Sequence, residues 1–149
     1  MANLPDGLLT QYVVDVLFYT HDTSQEDEDG RPDTYLGQRY TGAPDEWGPG
    51  QYEVMVQDLV GFWAKVCTAF PGHPWTREEI GRIAHDLFLT RNGHGAGFWD
   101  GDWPEPEGSV LTLLAEEMGE AEPYAGDDGM LYWPGHEGPQ EETTPCATA

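Results

Sequence analysis

Positive charge is what this chain has least of. Lys65 is the single lysine and the cations number six, against 28 Asp plus Glu, for a formal net charge of −22. Proteins that grip nucleic-acid backbones do so by displacing counterions from phosphates, which takes a cluster of cations. Direct binding to DNA or RNA is therefore not expected, and basic surfaces or cations are the expected partners. Cysteine is nearly as scarce, with Cys67 on a predicted helix and Cys146 near the end of the chain, too few for a disulfide framework. The opening MANLPDGLLTQYVVD lacks the basic flank and cleavage site of a secretion signal. No apolar run approaches the roughly 18 residues of a membrane span. These absences lead to the expectation of a protein of the reducing cytoplasm.

What is present is enough for a core. The chain has 149 residues, of which 12% are aromatic and six are tryptophan. That length fits one domain, expected over residues 1–133, with a polar, Pro-rich and flexible tail over 134–149. Acidity is concentrated late: Gly101 to Ala149 holds twelve carboxylates and no cation.

Four helices are predicted. Leu8 to Tyr19 is apolar nearly all round, which periodicity alone cannot assign, and its length favours a helix. HDTSQEDEDGRPD reads as an exposed loop, and the Gly- and Pro-rich TYLGQRYTGAPDEWGPG excludes a long element. Tyr52, Met55, Val56, Leu59, Val60, Trp63, Val66, Cys67 and Phe70 recur at spacings of three and four, one broad apolar stripe over a helix from Tyr52 to Phe70. Thr76 and Glu79 form a capping box for a third helix whose core face is Ile80, Ile83, Ala84 and Leu87. A fourth runs from about Ser109 to Met118, with Gly119 as its C-terminal stop. Asn92-Gly93 and Asp128-Gly129 are signals for two-residue hairpin turns. The expected fold is α+β, with about four helices packed on two short antiparallel hairpins.

The densest motif is RNGHGAGFWDGDW, Arg91 to Trp103. A turn at Asn92-Gly93 pairs Arg91 with His94, Leu89 with Ala96 and Leu87 with Phe98 on one side of a ribbon. On the other side Phe88 shields Gly97, so the glycines have a packing role. Arg91 and His94 then sit at the tip, with Arg91 available to a local carboxylate such as Asp100 or Asp102. GHGAG lacks the Lys-Ser/Thr of a phosphate loop and does not open a helix. His85, Asp86, His94, Asp100 and Asp102 are close enough in sequence to consider a metal or acid–base site, although neither HExxH nor CxxC occurs. An EF-hand register on Gly30 puts Leu36 where a bidentate glutamate is needed, and no GxSxG elbow is present. No catalytic residue, metal or cofactor is assigned.

FLTRNGHGAGFWDGDW, a short helix and YAGDDGMLY together resemble a group of small tailed-bacteriophage proteins. Those share the TRNGHGAGFWD string and a following Tyr-x-Gly-Asp-Asp-Gly turn. The resemblance covers roughly Ala84 to Trp133, a third of the chain. It implies expression inside a bacterial host, as an accessory rather than a virion component, and it transfers no catalytic residue.

Charge and resemblance together lead to the expectation of a non-enzymatic protein that binds a basic host or phage protein. Its sharpest form is a DNA mimic that occupies the cationic cleft of a nucleic-acid enzyme or defence system. The expected acidic face comprises Glu105, Glu107, Glu116, Glu117, Glu120, Glu122, Asp127 and Asp128. Arg91 and His94 at the hairpin tip, with exposed Trp99 and Trp103, are expected beside it. The alternatives are a small metal-dependent hydrolase or nuclease using the 91–103 hairpin, and a structural piece of a phage assembly.

Overall fold

The computed structural model describes residues 4–22, 34–94, 97–100 and 103–134. The expected flexible tail beyond Pro134 and most of the acidic HDTSQEDEDGRPD loop lie outside the described residues. Among the described residues there are four α-helices, α1 (Leu8–Tyr19), α2 (Gln51–Ala69), α3 (Arg77–Arg91) and α4 (Glu107–Met118). One two-stranded antiparallel hairpin follows, β1 (Tyr124–Ala125) with β2 (Leu131–Tyr132). The fold is thus α+β and mostly helical. No described helix is long and apolar enough to cross a membrane.

α1 turns Leu8, Tyr12, Val13, Val16 and Leu17 into the core and leaves Val14 and Phe18 exposed. Those two outward apolar residues are why its period is blurred in the sequence. Its largest packing partner is α3, while α4 packs across α2 and α3. α2 buries Met55, Leu59, Trp63 and Val66 of the predicted stripe and adds Phe62, while Tyr52, Val56, Val60 and Phe70 are half-buried and Cys67 is exposed. Burying side chains of this size stabilises by roughly 1.5–3 kcal/mol each, the main force closing the helices on one another. The Thr76 cap forms as expected: its hydroxyl accepts from Glu79 N at 3.0 Å, and Glu79 Oε1 accepts from Thr76 N at 2.9 Å. Gly119 ends α4 with φ of 76°.

The first expected hairpin does not exist. α3 runs on to Arg91, and Asn92-Gly93 ends it rather than turning a ribbon. Gly93 takes φ of 72°, its N–H donates to Thr90 O at 3.3 Å, and His94 N–H donates to Leu89 O at 3.0 Å. That crossed pair is the Schellman ending of a helix, which wants a glycine just past the cap. Asn92 also ties the ending down, accepting from Ala121 N at 2.8 Å and donating to Phe88 O at 3.1 Å. The physical reason for the difference is burial: Leu87, Phe88 and Leu89 are all in the core. A helix end buried on every side has the same apolar run as a strand.

The second hairpin forms with a different turn. Tyr124 pairs with Tyr132 and Ala125 with Leu131. Gly126 N–H donates to Met130 O at 2.8 Å, and Gly129 N–H donates back to Gly126 O at 2.9 Å. Only Gly129 of the three intervening residues has positive φ, at 80°. This is a three-residue connection, a type I turn closed by a left-handed glycine, and not a two-residue type I′ turn. The hairpin is docked by Tyr40, whose hydroxyl donates to Gly129 O at 2.8 Å, and by Gly48 N–H, which donates to Leu131 O at 2.8 Å.

Candidate functional site

Arg91 is not at an exposed tip. Its side chain is 3% exposed and its guanidinium is the hub of the core. Nη1 donates to the Asp58 carboxylate of α2 and, at 3.2 Å, to the Tyr12 hydroxyl of α1. Nε donates to Gly119 O at 2.7 Å and Nη2 to Met118 O at 3.1 Å, so the same group caps the C-terminus of α4. A cation there also complements the negative end of the helix dipole. Its guanidinium carbon lies 5.9 Å from the Trp133 ring centroid. Among the described residues its carboxylate partner is Asp58. Asp102 and the Asp100 side chain lie outside what is described.

Burial alone works against the charge on Arg91, yet Tyr12 and Asp58 hold its pKa above the ordinary value. The Tyr12 phenol is pushed up to about 12, chiefly by burial, with Arg91 pulling the other way and Asp58 adding to the rise. A raised folded-state pKa means that the neutral phenol is favoured by folding. Its contribution is intact below the ordinary value of 10.0 and is lost as pH rises through about 12. Denaturant titrations across that interval should show stability falling steeply for the native protein and less steeply for Tyr12→Phe. Identical pH slopes would show that Tyr12 plays no part in the loss.

Trp103, expected to be exposed, is buried: its Nε1 donates to Asp86 at 2.7 Å and Arg82 lies 4.6 Å over its ring. Trp99 is exposed, at 52%. Gly97 does have a packing role, although its neighbour is not Phe88; a Cβ there would lie 2.2 Å from the Thr90 hydroxyl oxygen. Phe98 N–H donates to that same hydroxyl at 3.0 Å, which folds the 98–100 turn against α3.

Of the residues considered for a metal, the described ones, His85, Asp86 and His94, each have a different partner. His85 Nδ1 lies 3.3 Å from Asp15 Oδ2 on α1, while Asp86 accepts from Trp103. His94 Nε2 lies 3.3 Å from Glu122 Oε2. Among the described residues no group of three or more His, Cys, Asp or Glu is placed to hold a metal ion.

The expected acidic residues fall at two ends of α4 and on the hairpin. Glu105 and Glu107 sit at its start, where Glu105 Oε1 accepts from Ser109 N at 3.2 Å. Glu116 and Glu117 occupy the last turn, about 16 Å away along the axis. Glu120 and Glu122 follow in the connection to β1, and Asp127 and Asp128 form the hairpin turn. All but Glu107 are exposed. Lys65 stands 3.7 Å from Glu117, and Asp128 accepts from the Tyr132 hydroxyl at 2.6 Å and from Met130 N at 3.0 Å. Those two bonds hold the Asp128 carboxyl below its usual range. Glu116, Glu120 and Asp127 carry no side-chain hydrogen bond or ion pair among the described residues.

His94 and Glu122 border a cleft that no local sequence signal announces. The cleft, of about 510 Å³, is lined by Tyr19, Thr20, His21, Tyr35, His94, Glu122, Pro123 and Tyr124. The end of α1 and the segment after residue 33 meet there through a bridge between His21 and Tyr35. Those two rings stack at 4.5 Å between centroids and 21° between planes. Tyr124 stacks on Tyr132 at 5.7 Å, and Tyr19 on Phe88 at 6.2 Å. No protein-family model, curated protein or solved structure matches the chain.

Proposed function

We propose that the chain is a non-enzymatic acidic accessory protein, of the tailed-bacteriophage kind its motifs resemble, that binds a basic host or phage protein inside the bacterial cell. The observation that carries this reading is the lopsided fate of its charges. Arg91 is buried with Asp58, Arg39 pairs with Asp22 at 3.1 Å, and Arg82 lies on Trp103. Among the described residues Arg39, Lys65 and Arg77 keep exposed surface, against six exposed carboxylates between Glu116 and Asp128 alone. An excess of this kind attracts cationic macromolecules and accelerates their encounter. The sharpest form of the proposal is DNA mimicry, with these carboxylates standing in for phosphates in the cleft of a nucleic-acid enzyme.

Poly-L-arginine is a suitable probe because it offers charge without shape. Its affinity should drop steeply between about 0.1 M and about 1 M salt, as the Debye length shrinks from about 10 Å to about 3 Å. Calorimetric titration at both ends of that range reads the effect. Absence of binding at low salt, or affinity indifferent to salt, would reject the proposal.

A further inference from the structure

We infer that the cleft bordered by His94 and Glu122 is a receptor for an arginine side chain. This rests on the proposed acidic binding function and names the group of the partner that the site would take.

The cleft's volume, about 510 Å³, falls within the range of small-ligand sites and exceeds what a guanidinium and its stem require. Among the described residues its lining includes a single carboxylate, Glu122, and no lysine or arginine. Glu122 is 44% exposed and faces His94 through Oε2 at 3.3 Å. An ionised carboxylate has acceptor capacity on both oxygens, so Oε1 remains for an incoming donor. The aromatic content supplies the second half of the recognition. Tyr19, His21, Tyr35 and Tyr124 all line the space, and each is held by a ring neighbour. Planar guanidinium stacks on such rings and donates in pairs to carboxylates, whereas lysine's ammonium is a compact, strongly hydrated charge. Thr20 belongs to the same wall, and its buried hydroxyl has no hydrogen-bond partner among the described residues. A net charge of −22 disfavours anionic occupants.

The test uses the full chain and N-acetyl-arginine methylamide, followed by NMR. Resonances of His94, Glu122, Tyr124 and His21 should shift together. The citrulline analogue, equal in shape and uncharged, should leave them in place, and the lysine analogue should bind more weakly. Glu122→Gln should weaken arginine binding about tenfold, the scale of one lost charge-assisted hydrogen bond. Glu78→Gln, on α3 and outside both the cleft and the acidic stretch, should not. Equal responses to the arginine, lysine and citrulline analogues would overturn the inference, as would equal binding by the two variants. Poly-L-arginine separates this from the broader reading. If it binds both variants alike while the arginine analogue leaves the cleft unperturbed, the receptor fails and the acidic reading stands. If it fails to bind while the analogue fills the cleft, the acidic reading fails and the arginine site stands.

Discussion

Replacing Arg91 with methionine should lower stability by roughly 3 kcal/mol, the lower end of what breaking a buried ion pair costs. The lower end applies because Asp58 keeps 19% of its side-chain surface in contact with solvent. Methionine fills much of the volume but leaves the Asp58 carboxylate, the Tyr12 hydroxyl and the carbonyls of Met118 and Gly119 without their donor. Four elements lose a common tie at once. For a chain of this size the melting temperature should fall by about 6–12 °C. Arg91→Lys should recover little, since one ammonium cannot serve four acceptors spread around a planar fork. Combining Arg91→Met with Asp58→Asn should cost less than the sum of the single changes, because the stranded charge is gone. A melting temperature for Arg91→Met within about 2 °C of the native protein would contradict the assignment of Arg91 as the core hub.

Neutralising Glu116, Glu120 and Asp127 to Gln or Asn should weaken binding to a basic macromolecule by about tenfold to a hundredfold at low salt. These three are chosen because they hold no described contact, so removing their charge disturbs attraction and not folding. A matched control neutralises Asp6, Glu53 and Glu78, which are also exposed but lie on the segment before α1, on α2 and on α3. Both variants change the net charge by the same amount. If the acidic stretch from α4 to the hairpin is the binding face, the first should lose far more affinity than the second. Equal losses would mean that overall charge acts without a face. Melting temperatures of both variants should stay near that of the native protein, which separates attraction from stability.

Features that local chemistry encodes are legible in the sequence itself. The capping box at Thr76, the stripe of α2, the glycine after α4 and the Asp-Gly hairpin each depend on residues within one or two turns. The segment around Arg91 defeats local reading because two signals there are ambiguous. Asn-Gly suits a Schellman ending as well as a hairpin turn, and Leu87, Phe88 and Leu89 are buried on every side, which erases the period that separates helix from strand. Arg91 itself carries a hint: a rare cation beside an apolar run suggests a buried pair, but nothing local names Asp58, 33 residues away. The burial of Trp103 is hidden for the same reason, its partner Asp86 being 17 residues back. The cleft has no local signature because it joins residues far apart in sequence, from Tyr19 to Tyr124.

The most direct test of the electrostatic mechanism is the rate at which the protein associates with a basic macromolecule, measured by stopped-flow mixing with poly-L-arginine over a series of salt concentrations. Association should be fast and should slow markedly as salt rises, with a much smaller change in the dissociation rate. An association rate that stays flat across the series would contradict attraction by charge.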